Sequence, residues 1–146
     1  MDNFNDAALN SPFTKYELLS AIKKLKNNKS TSFDSIGNEM LKTGGKIIAD
    51  ALLLLFNSVL EAGIFPKAWK TSIMQIIHKS GTKTDPNNFR GICVSSSLGK
   101  LFNKLLRARL EIYCEKNKLI SKSQKGGKAG ARTADHLLRN WAGNHS

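Results

Sequence analysis

Two cations, Lys79 and Arg90, flank a loop within residues 73–92, IMQIIHKSGTKTDPNNFRGI. Residues 73–78, which are rich in β-branched residues, and residues 89–94 predict two strands, while the glycine, proline, aspartate and asparagine between them predict a turn. An antiparallel pairing would bring both cations to one side of the hairpin. Arginine supplies a fork and lysine a point charge, so the pair could bind phosphate. Two solvated surface charges are the alternative.

The positive charge of the chain is concentrated in its second half. The net charge is +12 over 146 residues. Residues 1–73 hold nine lysines, no arginine and seven acidic residues, a net charge of +2, whereas residues 74–146 hold nine lysines, five arginines and four acidic residues, a net charge of +10. Such a basic half predicts a polyanionic partner, in the first place nucleic acid and in the second an acidic membrane surface. No basic amphipathic helix stands alone at a terminus, which argues against the membrane surface.

The length and composition predict one ordinary domain or a piece of a larger one. The most apolar run, residues 47–56, contains Asp50 and is too short for a membrane span, and the N-terminus lacks the basic and apolar regions of a secretory signal. Cys93 and Cys114 have no metal-ligand spacing and are predicted to be buried thiols in a reducing compartment. We therefore expect an intracellular protein, cytoplasmic or nuclear, with no membrane partner.

Three helical segments precede the predicted hairpin. The spacing of Thr14 and Glu17 predicts a capping box at the start of the first helix. Residues 36–42 predict a short helical turn, and residues 46–62 predict the most apolar helix, with Gly63 as its C-cap. That helix is expected to be central to the core, through a wide apolar face: Ile47, Ile48, Ala51, Leu52, Leu55, Phe56, Val59 and Leu60.

A long helix is predicted after the hairpin, capped by a serine within residues 95–97 and ending near Lys116. Its expected core positions are Leu98, Leu101, Phe102, Leu105, Leu106, Leu110 and Tyr113. Residues 1–12 are predicted to form a flexible lead-in, residues 133–141 a final short helix, and residues 142–146 a frayed tail. The order of elements predicts an α+β domain, mostly helical with a small antiparallel β-hairpin.

Five separate stretches of the sequence, in the same order, match the motifs of one known family. Residues 18–41 keep Asp34 and Ile36 from a loop written S-P-G-P-D-G-I, and residues 63–69, GIFPKAW, match G-x-x-P-x-x-W. Residues 76–94 match a stretch that contains N-Y-R-G-I, with Phe89 in place of Tyr, and residues 98–110 match a long helix. Residues 124–136, QKGGKAGARTADH, match Q-x-G-F-R-x-x-x-S-T-x-D-H. The chain resembles the N-terminal, fingers-side part of reverse transcriptases from non-LTR (LINE-type) retrotransposons.

This resemblance implies that residues 13–141 form the fingers part of a right-hand polymerase fold, truncated before the palm. It implies that Lys79 and Arg90 grip the triphosphate of the incoming nucleotide. It also implies a path for template and nucleotide along residues 124–136. The expected contacts to the template or its backbone are Gln124, Lys125, Gly126, Lys128 and Arg132, of which Lys128 and Arg132 stand where the family has Arg and Ser.

The catalytic carboxylates of that family have no counterpart in this sequence. Polymerases of this kind use two metal ions held by carboxylates, which the family supplies from F-x-D-x-x-x-A-F-D and from Tyr/Phe-Ala-Asp-Asp, and neither motif occurs here. We therefore expect no catalytic residue, no metal site and no cofactor in this chain, with Mg²⁺ bound only where the missing palm is present. Asp34 is predicted to be a turn residue, and Trp69 and Phe89 packing residues.

The resemblance and the missing carboxylates together predict a truncated reverse transcriptase, that is, a fragment of an RNA-directed DNA polymerase. It would keep the elements that bind nucleotide phosphate and template, but would be inactive alone. The alternative is a stand-alone nucleic-acid-binding module derived from a reverse transcriptase, and a further possibility is an enzyme completed by a palm supplied in trans. The expected partners are an RNA or DNA template–primer, a weakly bound deoxynucleoside triphosphate, and the missing palm and thumb.

Overall fold

The computed structural model describes residues 7–119. In chain order the elements are α1 (Ala7–Asn10), α2 (Lys15–Lys23), α3 (Asn38–Ala62), α4 (Lys67–Lys70), β1 (Ser72–His78), β2 (Phe89–Ser95) and α5 (Ser97–Lys116). The two strands form an antiparallel sheet, which confirms the predicted α+β class. The chain divides after Arg109 into two compact units; the described part of the second comprises the end of α5 and the turn to residue 119.

Helix α2 begins with the predicted capping box. The hydroxyl of Thr14 accepts a hydrogen bond from the backbone N–H of Glu17 at 3.2 Å, and the carboxylate of Glu17 accepts one from the backbone N–H of Thr14 at 2.7 Å. Phe13 and Leu18, on either side of the cap, are both buried. The two hydrogen bonds satisfy N–H groups that the first turn of a helix leaves without partners, so α2 starts at a fixed residue.

Helix α3 joins two segments that the sequence predicted as separate. Gly45 has helix-incompatible dihedral angles, φ 26° and ψ −106°, so the helix is kinked there. Beyond the kink the buried positions are Ala49, Leu52 and Phe56, a narrow stripe at spacings of three and four residues. The predicted wide core face is therefore wrong in part: Ile47 is 88% exposed and Leu55 40% exposed.

The core is built around aromatic side chains. Phe56 from α3 packs edge-to-face against Trp69 and Phe102, with ring centroids 5.7 and 5.6 Å apart. Trp69 is therefore a packing residue, as predicted. Helix α5 supplies Leu101, Phe102 and Leu105 to the same cluster, whereas the predicted core residue Leu110 is 50% exposed. Edge-to-face pairs stabilise such a cluster beyond the area that they bury.

A buried arginine that the sequence analysis missed, Arg109 of α5, ties the N-terminal segment to the core. Its Nε and Nη2 donate to the two carboxylate oxygens of Glu17 at 2.8 and 3.0 Å. The remaining donors bind backbone carbonyls of Leu9, Ser11 and Pro12. All five guanidinium N–H groups thus have partners. Part of the predicted lead-in, residues 9–12, is consequently hydrogen-bonded to α5.

Helix α3 is also long and apolar enough to cross a membrane by length and composition, with 17% of the relevant stretch buried. No such run was expected from the sequence, because its most apolar stretch, residues 47–56, contains Asp50 and is too short for a span. A single helix of this kind indicates a span only weakly, since core helices pass the same test. The face of α3 that carries Leu41, Leu52 and Phe56 belongs to the core cluster.

The burial pattern of α3 predicts a large difference between two neighbouring leucines. Leu52→Ala should lower the free energy of unfolding by about 2–5 kcal/mol, because it leaves a cavity in the core. Leu55→Ala should cost clearly less, because Leu55 is 40% exposed whereas Leu52 is 8% exposed. Denaturant unfolding of both variants measures the difference. Equal losses would show that the assignment of the buried stripe is wrong.

The Arg109–Glu17 contact predicts a specific pH dependence of stability. Hydrogen bonding to Arg109 is the main cause that lowers the pKa of Glu17 to about 2, from an ordinary value of 4.5. Because the folded-state pKa is the lower one, the stabilisation is present above the ordinary value and is lost as pH falls towards 2. The difference in unfolding free energy between the parent chain and Glu17→Gln should therefore shrink between about pH 7 and about pH 2.5.

The matched control for that experiment is Glu61→Gln, which removes an exposed carboxylate near the end of α3. Its unfolding free energy should stay close to that of the parent at both pH values. A constant gap between the parent and Glu17→Gln across this range would contradict the role given to the Arg109–Glu17 pair.

Candidate nucleic-acid interface

The β-hairpin has the position and register expected from the sequence. Each strand is one residue longer than predicted, at Ser72 and Ser95, and these two residues face each other across the ladder. Near the loop Ile77 pairs with Arg90 and His78 with Phe89. The strands form because β-branched residues fit a pleated backbone, and glycine, proline and asparagine in the loop end it.

Backbone and side-chain hydrogen bonds fix the loop that joins the strands. The backbone N–H of Lys79 donates to the carbonyl of Asn88 at 2.7 Å, which extends the ladder by one pair beyond β1. The side-chain amide of Asn88 donates to the carbonyl of Thr82 at 2.9 Å. Asp85 accepts a hydrogen bond from the backbone N–H of Asn87 at 2.9 Å and so caps the 3₁₀ turn before β2. The loop therefore has a defined shape.

Gly81 is required by this loop geometry. Its φ is 81°, in the left-handed region, and a Cβ there would lie 2.5 Å from the side-chain nitrogen of Asn88. Any other residue would displace Asn88 and the hydrogen bond that it makes to Thr82. The carbonyl of Gly81 also lies 3.1 Å from Nε2 of His78. The Lys-Ser-Gly sequence after β1 is thus part of the turn that positions Lys79.

The register places Lys79 and Arg90 on one face of the hairpin. Side chains alternate between faces along a strand, and Arg90 pairs with Ile77, two residues before Lys79. Both cations are exposed, and neither side chain makes an ion pair or hydrogen bond within residues 7–119. The acidic residue of the loop, Asp85, is engaged with the backbone. Two cations on one face, without a carboxylate partner in the described part, can accept an anion.

The base of the hairpin is anchored in the core, while its middle is exposed. Val94 is buried, and the hydroxyl of Ser32 donates to its carbonyl at 3.2 Å. Ser96, also buried, accepts a hydrogen bond from the backbone N–H of Gly99 at 3.5 Å at the start of α5, so the capping serine lies within the predicted trio. The cations are therefore carried at the free end of an anchored ribbon.

Apolar side chains on both faces of the hairpin are exposed within the described residues. They are Ile73, Met74, Ile76, Ile77 and Ile92, each between 46% and 69% exposed. Cys93 is exposed as well, so the prediction that it is buried is wrong. Cys93 alternates with the buried Val94, which faces the core from the opposite side of the strand. A two-stranded ribbon with this much exposed apolar surface is stabilised mainly at its anchored end.

The other predicted site residues have different outcomes. Asp34 accepts a hydrogen bond from the backbone N–H of Ile36 at 3.2 Å, which confirms its role in a turn. Gln124, Lys125, Gly126, Lys128 and Arg132 lie outside the described residues, as does the predicted helix 133–141. Among residues 7–119 there is no group of three histidine, cysteine or acidic side chains that could hold a metal ion.

Comparison with known proteins confirms the resemblance recognised from the motifs. No family model matches the chain. The RNA-directed DNA polymerase from mobile element jockey of Drosophila melanogaster is 35% identical over 130 residues, which is 88% of this chain. The probable RNA-directed DNA polymerase from transposon BS, also of D. melanogaster, is 32% identical over 129 residues. The Pol polyprotein of retrotransposable element R1 from Bradysia coprophila is 28% identical over 97 residues.

These relatives are much longer than the present chain. The matched region covers 14% of the jockey and BS proteins and 10% of the R1 protein. The chain thus corresponds to one small segment of each.

Proposed function

We propose that this chain, which is homologous to a segment of the RNA-directed DNA polymerases of non-LTR retrotransposons, binds the phosphates of nucleic acid and nucleotide for such a polymerase. The observation that carries the proposal is the placement of Lys79 and Arg90 on one face of an anchored hairpin, with no carboxylate partner in the described part. The finer assignment, that the hairpin belongs to the fingers of a right-hand polymerase fold, is part of this proposal.

The chemistry of the two cations supports phosphate as the ligand. Arginine can donate two parallel hydrogen bonds to a phosphate, and lysine adds a compact positive charge on a flexible side chain. The hydrogen bonds of Asn88 and Asp85 limit the loop to one shape, so less conformational freedom is lost when an anion binds. The excess of positive charge in residues 74–146 attracts the same ligands from a distance.

We expect the template–primer to be the main ligand and the deoxynucleoside triphosphate a weaker one. A nucleic acid presents many phosphates and gains from counterion release at each contact. A single triphosphate gains only the few contacts that two side chains can make. Catalysis is assigned to residues beyond this sequence, since neither carboxylate motif of the polymerases occurs in it. The chain alone should bind without extending a primer.

The proposal predicts a specific loss of binding in one hairpin variant. Arg90→Ala should weaken binding of a short primer–template duplex by about 1–3 kcal/mol, because a charge-assisted hydrogen bond is removed. Fluorescence anisotropy of a labelled duplex at two salt concentrations measures the affinity and its salt dependence. Arg90→Lys should recover part of the loss, since the charge is kept and the fork is not.

Lys67→Ala is the matched control, because it removes one exposed charge from α4 and leaves the hairpin intact. Its effect on duplex affinity should be several-fold smaller than that of Arg90→Ala. The proposal would be wrong if the folded Arg90→Ala variant, verified by circular dichroism, bound the duplex as tightly as the parent.

A stand-alone nucleic-acid-binding module is the second candidate, favoured by the absence of both carboxylate motifs. The two candidates differ in what a complementing fragment does. If the chain is a working part of a polymerase, primer extension should arise only when it is mixed with a palm-and-thumb fragment of a related polymerase and Mg²⁺. Binding to nucleic acid together with no extension in that mixture would favour the module.

A further inference from the structure

Three lysines that are distant in sequence come together beside the end of α2. Lys24 is the C-cap residue of α2, Lys42 lies in the N-terminal part of α3, and Lys104 lies in the middle of α5. We call them the α2-end cluster. The distribution of charge along the sequence does not reveal this cluster, because its lysines come from both halves of the chain.

Hydrogen bonds hold two of the three ammonium groups in place. Nζ of Lys104 donates to the carbonyl of Lys24 at 3.0 Å. Nζ of Lys42 donates to the side-chain oxygen of Asn27 at 2.6 Å. The loop between them is fixed as well, since Asn38 donates to the carbonyl of Lys26 at 2.8 Å. The ammonium groups of Lys42 and Lys104 are thus positioned in advance, so an anion would have to order only that of Lys24.

The three charges raise the electrostatic potential at this place. Burial, followed by the charges of Lys24 and Lys42, lowers the pKa of Lys104 below its ordinary value. The acidic residue next to the cluster is Glu39, whose carboxylate accepts a hydrogen bond from the backbone N–H of Asn28. One carboxylate beside three ammonium groups leaves an excess of positive charge that an anion would relieve.

From this arrangement we propose that the α2-end cluster is a second phosphate-binding site, which holds the backbone of a nucleic acid outside the hairpin. Lys100, one turn before Lys104 on α5, is exposed on the same side of that helix. Lys23 and Lys26 are also exposed, on either side of Lys24. Exposed lysines from both α2 and α5 beside the cluster suit a polymer of phosphates better than a single ion.

The site itself stands on the positions of the lysines, but the choice of nucleic acid as the source of the phosphates rests on the proposed function. Neither Lys79 nor Arg90 belongs to the cluster. Hairpin variants and cluster variants can therefore be measured separately, and each set tests its own claim.

The test is an anisotropy titration of the full chain with a fluorescein-labelled oligouridylate at several salt concentrations. Lys24→Gln/Lys42→Gln should lower the slope of log affinity against log salt by about 1.4, the value for two phosphate contacts on a single strand. Affinity at low salt should fall by about tenfold or more. Lys24→Arg/Lys42→Arg should keep most of the slope, because the charges remain.

Lys67→Gln/Lys70→Gln is the matched control, since it removes two exposed charges from α4. It should change the slope much less. Equal changes in the two double variants would overturn the site, because net charge alone would then explain binding. Displacement of the RNA by polyglutamate at equal charge concentration would also overturn it, because the surface would then bind any acidic polymer.

The single variant Lys24→Gln tests the site with little risk of a folding defect, since the side chain of Lys24 makes no hydrogen bond or ion pair within residues 7–119. It should lower the slope by about 0.7, and an unchanged slope in this variant would overturn the proposal. Parallel measurement of Arg90→Ala separates the two claims. If the cluster variants lose binding and Arg90→Ala does not, the site stands and the hairpin proposal fails; the reverse result rejects the site.

Discussion

The contact between Arg109 and Glu17 is the constraint on which the arrangement of the described elements depends. These residues are 92 positions apart, and their hydrogen bonds link α5 to the first turn of α2. Glu17 also completes the capping box with Thr14, so one carboxylate both starts α2 and fixes it to α5. The guanidinium carbon lies 4.5 Å from the centre of the Phe13 ring. A buried arginine is costly unless every donor has a partner, and here five partners converge on it.

The hairpin benefits from this rigid core without being enclosed by it. Ser32 and Val94 fasten its base, while the cations lie at the other end, where the strands are exposed. Binding to a long polyanion requires charges that project from the body of the protein, and exposed charges are stable in water without a partner. The fixed loop supplies the geometry that long side chains lack. The same separation explains why apolar residues such as Met74 and Ile76 can remain exposed without loss of the core.

Features that depend on neighbouring residues in the chain could be predicted from the sequence. The capping box of α2, the C-cap at Gly63 and the two strands all follow from local rules, and the structure has each of them. Burial could not be predicted in the same way. Ile47 and Leu52 have the same apolar character, but only one of them meets the aromatic cluster, because α3 is covered along a narrow stripe. The buried role of Arg109 depends on carbonyls from the other end of the unit, which no local pattern reveals.

The net charge of a stretch of sequence also fails to predict which charges meet in the fold. The first half of the sequence has a net charge of only +2, which suggests that its lysines are balanced by its acidic residues. In the fold two of these acidic residues are engaged away from the cluster: Glu17 binds an arginine of α5, and Asp50 forms an ion pair with Lys15 at 2.6 Å. Lys24 and Lys42 therefore face Lys104 with one nearby carboxylate, that of Glu39. Net charge along a chain adds opposite charges whether or not they meet, whereas an anion responds only to those within about a Debye length, roughly 10 Å at moderate salt.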